Sequence, residues 1–220
     1  MLNTVIISAA DQGVRCSGYS EVLPKQFINI NNEPIYITTI KKFIRDDISQ
    51  ILLIIQPERK DMVEQQLKEY LPGCNIILVL GGNTAEESRY NALLYLSKQY
   101  YNGNVIFHDA VRPLVNHQLI TNVINTLNNS DNAVPVIICK DSMYNINTGI
   151  IDVQNTFRMQ TPQGFDFKKI FDCYNTYKWF GSPGLTYYKQ YNTVNMINGD
   201  ESNFKITTID DIELYKMINK

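Results

Sequence analysis

Short, densely apolar runs alternate with amphipathic stretches along most of the chain. Residues 4–9, 50–56, 75–80, 104–108 and 133–139 are runs of this kind, bounded by glycine, proline or polar residues. Their length and β-branched content predict buried strands. Between them, residues 35–43, 61–71, 85–100 and 118–127 repeat apolar positions at helical spacing. Ile37, Ile40, Phe43 and Ile44 fall on one face, and Ala92, Leu93 and Leu96 form an inner stripe. The 61–71 helix stops at Pro72-Gly73, a pair that cannot continue it. Strands alternating with helices imply βαβ units and a parallel sheet. Because the strands are solidly apolar, helices are expected on both faces.

The rhythm changes after Asp141. Residues 142–146 and 149–153 flank Asn147-Thr148 and read as a hairpin leaving the main sheet. The resulting arm, residues 139–158, has an exposed edge that a partner subunit could cover. Residues 165–177 read as a helix, 193–197 as a strand, and 209–218 as a closing helix capped near Thr208. Nothing in the pattern suggests a repeat or a linker, so residues 1–220 are read as one domain with an arm.

Composition narrows the function classes. A chain of 220 residues with 44% hydrophobic and 19% charged residues buries a core without needing disulfides or a metal. Lys+Arg 20 against Asp+Glu 22 gives a net charge of −2, so no basic field points to nucleic acid. A small anionic ligand in a locally basic cleft stays open. No apolar run approaches the ~20 residues of a membrane span. The start of the chain lacks the basic region of a signal peptide, and a cytoplasmic protein is expected. Cys16, Cys74, Cys139 and Cys173 are widely spaced and read as free thiols.

In parallel sheets, ligands bind beyond the carboxyl ends of the strands. After the first strand come Ala9, Ala10, Asp11, Gly13 and Arg15, then Pro24-Lys25-Gln26-Phe27. Small residues let backbone amides approach a phosphate chain, and the two cations can neutralise it. An ordinary strand-to-loop turn accounts for the same residues. The third strand ends in Gly81-Gly82-Asn83-Thr84, with Ser88 in the next helix. This suits contact with a flat ring, or a tight turn with an N-cap at Asn83 or Thr84. The fourth strand leads into His108-Asp109-Ala110-Val111-Arg112-Pro113. An Asp at that place suits Mg²⁺ beside phosphates, and Arg112 could grip a second anion. His108 is read as a hydrogen-bonded strand-end histidine with no catalytic role, and His117 as solvent-facing. Gln160-Thr161-Pro162-Gln163-Gly164-Phe165 and Gly199-Asp200-Glu201-Ser202-Asn203-Phe204-Lys205 complete the set. Lys205 is read either as aimed inward at a phosphate or as a snorkelling surface lysine.

Taken in order, these segments resemble the cytidylyltransferases that make CDP-alcohols. That family comprises 2-C-methyl-D-erythritol 4-phosphate cytidylyltransferase and D-ribitol-5-phosphate cytidylyltransferase. The matches are Ala9-Ala10, Gly13 and Arg15; Pro24-Lys25-Gln26-Phe27; Gly81-Gly82 and Ser88; His108-Asp109-Ala110-Val111-Arg112-Pro113; Gln160-Thr161-Pro162-Gln163; and Gly199, Asn203 and Lys205-Ile206-Thr207. The resemblance implies an α/β, Rossmann-like, mostly parallel twisted sheet of the nucleotide-diphospho-sugar transferase type, with a protruding β-arm for homodimerisation. It implies a reaction in which CTP and a small alcohol phosphate give a CDP-alcohol and pyrophosphate, with Mg²⁺ as cofactor.

By the same resemblance, Arg15, Lys25, Asp109 and Lys205 are the catalytic residues. Ala9, Ala10, Asp11, Gly13, Gly81, Gly82, Asn83, Ser88 and Ala110 hold the nucleotide. Arg112, Ser142 and Thr186 hold the acceptor, Asp109 places the metal, and Arg112 and Lys205 bind the acceptor phosphate. The chain departs from the family at several positions. Asp11 replaces a loop glycine, Ala85 and Val153 stand where arginines are usual, and Thr186-Tyr187-Tyr188 replaces a Thr-Asp pair. Ala-Val-Arg-Pro and Lys-Ile-Thr-Thr lean toward the ribitol-phosphate branch. The expectation is a ribitol-5-phosphate-like or non-standard acceptor for a surface polysaccharide, with methylerythritol phosphate of isoprenoid synthesis as the alternative. Two rivals stand beside it: a non-catalytic nucleotide-binding dimer subunit, and a transferase using UTP or another nucleotide.

Overall fold

The computed structural model describes residues 1–11, 23–177 and 181–219. The elements in chain order are β1 (Asn3–Ser8), β2 (Asn29–Ile30), β3 (Glu33–Pro34), α1 (Ile35–Lys41), β4 (Gln50–Ile55), α2 (Lys60–Tyr70) and β5 (Ile76–Leu80). Next come α3 (Ala85–Lys98), β6 (Asn104–Asp109), α4 (His117–Leu127), β7 (Asn132–Ile138), β8 (Met143–Asn145) and β9 (Gly149–Ile151). The chain continues through β10 (Phe157–Met159), β11 (Gln163–Asp166), α5 (Phe167–Tyr177), α6 (Pro183–Tyr191), β12 (Met196–Asn198) and α7 (Ile209–Ile218).

One eight-stranded sheet organises the molecule, in the order β10-β7-β11-β6-β1-β4-β5, with β12 beside β7. β1 pairs in parallel with both β4 and β6, and β4 with β5. Val5, Ile6 and Ile7 of β1 are completely buried, because helices cover both faces. The expected inner stripe of α3, Ala92, Leu93 and Leu96, is likewise fully buried. Helix starts follow their side chains. Thr84 caps α3 by accepting from the Glu87 amide at 3.1 Å. Thr208 and Asp211 form a reciprocal capping box on α7, at the cap expected near Thr208.

The carboxyl half differs from the sequence expectation. Residues 163–166 are a strand, which takes up the first two residues of the helix expected over 165–177. β11 inserts antiparallel between β6 and β7, so the sheet is mixed and α5 begins only at Phe167. Gln163 and Gly164 break the apolar pattern of that strand, but pairing on both sides satisfies its backbone. Helix α6 was absent from the sequence reading. Pro183 opens it, and Asn192, in the left-handed region at φ 53°, closes it. The strand expected at 193–197 is Met196–Asn198. Ile44 is 46% exposed rather than buried with Ile37, Ile40 and Phe43, because α1 ends at Lys41 and the chain turns away.

The arm is present as a separate two-stranded sheet, β8 with β9. It leaves from the end of β7 and returns where Phe157 pairs with Ile138. Tyr144, Ile146 and Ile150 on it are exposed. Among the described residues, no helix is long and apolar enough to cross a membrane, and Cys74, Cys139 and Cys173 are free thiols. Cys16 lies outside the described residues.

Candidate active site

Strand order reverses at β1, with β4 and β5 on one side and β6 on the other. In open α/β sheets the ligand crevice lies at this point, beyond the carboxyl ends of the strands. A cavity of about 810 Å³ opens there. It is lined by the ends of β1 (Ser8, Ala10, Asp11), β4 (Gln56, Pro57, Glu58), β5 (Gly81, Gly82, Asn83) and β6 (Asp109, Val111), together with Lys25, Gln26, Ser88 and Lys205. Its size suits a nucleotide.

At the β1 end, the Lys25 side chain is only 1% exposed, and its ammonium lies 3.7 Å from the Asp11 carboxylate, which is 52% exposed. The neighbouring Gln26 is buried and donates from Nε2 to the Ala9 and Asp11 carbonyls, at 2.7 Å each. Residues 9–11 after β1 are therefore tied down by the side chain that follows Lys25.

At the β5 end, Gly81 has no room for a side chain. A Cβ there would sit 2.8 Å from Ala10 Cβ and 3.0 Å from Ser88 Oγ. The Ser88 hydroxyl accepts from the Gly82 amide at 3.0 Å and donates to the Thr84 carbonyl at 2.8 Å. It holds the glycine turn in shape, so its hydrogen is directed at the loop rather than at a ring edge.

At the β6 end, the Asp109 carboxylate receives two cations from different segments. Arg112 Nε donates to Oδ2 at 2.9 Å and Lys205 Nζ to Oδ1 at 3.1 Å. Burial pushes the Asp109 carboxyl up, but Lys205 and Arg112 outweigh it and hold the group well below the usual carboxylate range. Asp109 is thus an anion at any working pH. His108 is buried against the Phe43 ring, with centroids 4.8 Å apart. Desolvation lowers its pKa to about 3, against the opposing pull of Asp109. Its Nε2 sits 3.2 Å from the Arg112 carbonyl. A carbonyl only accepts, so Nε2 carries the hydrogen of a neutral ring. The structure agrees with the structural reading of His108, and His117 is exposed as expected.

The fold brings Ala10, Asp11, Lys25, Gly81, Gly82, Asn83, Ser88, Asp109 and Lys205 to one cavity. Lys205 points inward, one of its two sequence readings. Ala9 and Ala110 are buried just behind the wall, where the Ala110 amide donates to the Ser8 carbonyl at 3.1 Å. Arg112 stands behind Asp109, and its Nη1 donates to the Asn203 carbonyl at 2.8 Å. Two expected acceptor residues are not gathered with them. Ser142 is exposed at the foot of the arm. Thr186 is 1% exposed inside α6, and its hydroxyl donates to the Ser182 carbonyl at 3.1 Å. Gly13 and Arg15 lie outside the described residues. Sequence reasoning missed Arg89, Gln56 and Glu58 as cavity residues. Arg89 follows Ala85 by one helical turn, so the i, i+4 rule was the signal that could have found it. It is held by Tyr174 Oη at 2.9 Å and the Gly181 carbonyl at 2.8 Å.

A switch-point crevice walled by small residues, with Lys25 and Lys205 on its lining and an ionised aspartate between two cations, suits a nucleotidyltransferase of the α/β class. The model of one family, 2-C-methyl-D-erythritol 4-phosphate cytidylyltransferase, matches residues 3–220. The chain belongs to that family. It is 31% identical to the 2-C-methyl-D-erythritol 4-phosphate cytidylyltransferase of Clostridium beijerinckii, covering 96% of this chain and 95% of that protein. It is also 31% identical to the bifunctional enzyme IspD/IspF of Bartonella tribocorum, but spans only 54% of that longer protein. Among solved structures, the 4-diphosphocytidyl-2C-methyl-D-erythritol synthase of Anaerococcus prevotii superposes with a TM-score of 0.82. The identity is 25%, and the match covers 99% of this chain and 98% of that one. The fold is also that of the Thermus thermophilus cytidylyltransferase, with a TM-score of 0.78 at 21% identity, covering 99% of this chain and 98% of that one.

Proposed function

We propose that this protein transfers the cytidylyl group of CTP to 2-C-methyl-D-erythritol 4-phosphate, releasing pyrophosphate. This corrects the sequence-based preference for a ribitol-type acceptor and a polysaccharide pathway. The matched family and the relatives with cytidylyltransferase names belong to the methylerythritol branch. Val153, which suggested an altered acceptor, and the expected acceptor residues Ser142 and Thr186 do not line this chain's cavity.

The observation that carries the reading is the Asp109 carboxylate between Lys205 and Arg112, across one cavity from Lys25. An acceptor phosphate oxygen attacks the α-phosphorus of CTP. A new P–O bond forms, the α–β bridge breaks, and its electron pair leaves with pyrophosphate. Negative charge grows on the leaving group, and Lys25 is the preorganised cation that meets it; Arg15, outside the described residues, is assigned the same role by family resemblance alone. Ala9, Ala10 and Asp11, with Ala110 behind them, hold the triphosphate, a role that family resemblance extends to Gly13. Gly81, Gly82 and Asn83, in a turn held by Ser88, receive the base. Lys205 and Arg112 receive the acceptor phosphate, and Ser142 and Thr186, away from the cavity, are given no part in it.

Mg²⁺ fits this donor set. It binds through one or two carboxylates plus substrate phosphates, and Asp109 is an ionised carboxylate at the cavity wall. Among the described residues, no group of three or more His, Cys, Asp or Glu side chains is placed to hold a metal ion. Bound there, Mg²⁺ would neutralise charge on the phosphate oxygens. The exposed Tyr144, Ile146 and Ile150 of the arm are the surface on which a second copy of the chain would dock.

The test is pyrophosphate release with CTP and Mg²⁺, offering methylerythritol phosphate and ribitol phosphate separately, with Lys25→Ala as control. Turnover of methylerythritol phosphate that is lost in the control is expected. Faster turnover of ribitol phosphate would overturn the acceptor assignment. Silence with both would overturn the reaction, and UTP outcompeting CTP would overturn the nucleotide.

A further inference from the structure

The motif Gln160-Thr161-Pro162-Gln163 lines no part of the cavity, yet its side chains hold two segments that do. Gln160 follows β10 and is 3% exposed. Its amide N–H donates to the Pro135 carbonyl of β7 at 2.8 Å, which anchors it to the sheet. Its side chain then makes a paired contact with the backbone of Asp200. Nε2 donates to the Asp200 carbonyl at 2.8 Å, and the Asp200 N–H donates to Oε1 at 3.0 Å. Nε2 also lies 3.3 Å from the Asn203 carbonyl. The space for this contact exists because residue 199 is glycine, where a Cβ would stand 2.6 Å from Gln160 Oε1.

Asn203, with no exposed surface, extends the tie. Its Nδ2 donates to the Thr161 carbonyl at 2.8 Å, while its own carbonyl accepts from Arg112. The Thr161 hydroxyl accepts from the Asp109 amide at 3.1 Å. Residues 199–205 have no helix or strand of their own. Their position on the sheet is set by these side-chain contacts, by the Gly199 amide on the Val136 carbonyl at 2.8 Å, by Asn116 on the Asp200 carboxylate, by Arg158 on Glu201 at 3.1 Å, and by the Ile206 amide on the Val111 carbonyl at 2.9 Å. Lys205 is two residues beyond Asn203.

We propose that Gln160 is a positioning residue for the acceptor side of the site. Its amide, acting through Asp200 and Asn203, docks residues 199–205 so that Lys205 meets Asp109. It thereby governs binding of the acceptor phosphate and not of CTP. This rests on the reaction proposed above only in naming the ligand, since the docking itself is geometry. Holding a cation where the reacting group arrives is worth much more than its mere presence.

Two variants test it from opposite sides. Gln160→Met keeps the volume and removes the amide; Gly199→Ala keeps the Gln160 side chain but crowds its Oε1 at 2.6 Å, with Ile137 and the Val136 carbonyl crowded at 2.9 and 3.0 Å. In the full chain, amide hydrogen exchange at Asp200, Asn203 and Ile206 should quicken, with β1 and β6 unchanged. CTP affinity by calorimetry should stay within about twofold, while KM for the acceptor rises about tenfold or more. Combining Gln160→Met with Lys205→Ala should be no worse than Lys205→Ala alone, as for two steps of one device. Unchanged exchange at residues 200–206, equal losses for CTP and acceptor, or additive effects would each overturn the inference. Should the wild-type chain turn over no acceptor, the proposed reaction fails while the exchange measurement still decides the docking role.

Discussion

Replacing Asp109 with Asn preserves shape and removes one negative charge from between two cations. In the native protein the carboxylate is 21% exposed and holds Arg112, 11% exposed, and Lys205, 34% exposed. Removing one partner of a fully buried pair costs about 3–5 kcal/mol, and an exposed pair contributes about 0–1 kcal/mol. The partial exposure here places the loss between these limits, at about 2 kcal/mol, most of it from the Arg112 side. For a chain of this length that lowers Tm by roughly 4–8 °C. The pH dependence follows from the depressed carboxyl. Its stabilisation is fully present above the unfolded value of about 3.9 and fades as pH falls below it toward the folded value. The gap between native and variant should therefore be flat from about pH 5 to pH 8 and shrink only in stronger acid. Thermal unfolding across this range measures it, and Mn²⁺ binding with CTP, followed by electron paramagnetic resonance, should weaken in parallel. A variant that melts within about 1 °C of the native protein near neutral pH would refute the reasoning, since the two cations would then not depend on the carboxylate.

His108 gives a second pH signature. Its folded pKa of about 3 lies below the unfolded value of about 6.5, so the unfolded chain binds a proton that the folded one refuses. Stability should fall as pH drops through this window, at up to about 1.4 kcal/mol per unit. Denaturant titrations of His108→Phe should show a shallower slope between about pH 6 and 4.5, and identical slopes would contradict the account. Ser88→Ala removes the acceptor of the Gly82 amide and the bond to Thr84. Stability should drop by about 1 kcal/mol and KM for CTP should rise, whereas unchanged CTP affinity would show that the turn keeps its shape alone. Replacing Ile146 and Ile150, both 88% exposed, with Lys should turn a dimer into a monomer in sedimentation equilibrium; a wild-type monomer would reject the arm as a dimer surface.

Much of the amino-terminal half was legible from the chain alone. Strands such as Gln50–Ile55 and helices such as Ala85–Lys98 carry their own period and their own caps, and local physics decides both. Lys25, Asp109 and Lys205 were legible as cations and an anion following strands, but only in company, because a lysine between apolar neighbours reads equally well as a surface residue. Strand Gln163–Asp166 was not legible. Its four residues have no alternation of their own, and it exists because β6 and β7 offer unsatisfied backbone on either side. The order of strands, and with it the crevice beside β1, is also tertiary: crossovers choose neighbours that no local pattern specifies. The sequence named the residue types able to handle phosphate. Only the folded chain decided that Lys205 and Arg112, 93 positions apart, grip one carboxylate, because that contact depends on Gln160 and Asn203 fastening a loop with no secondary structure of its own.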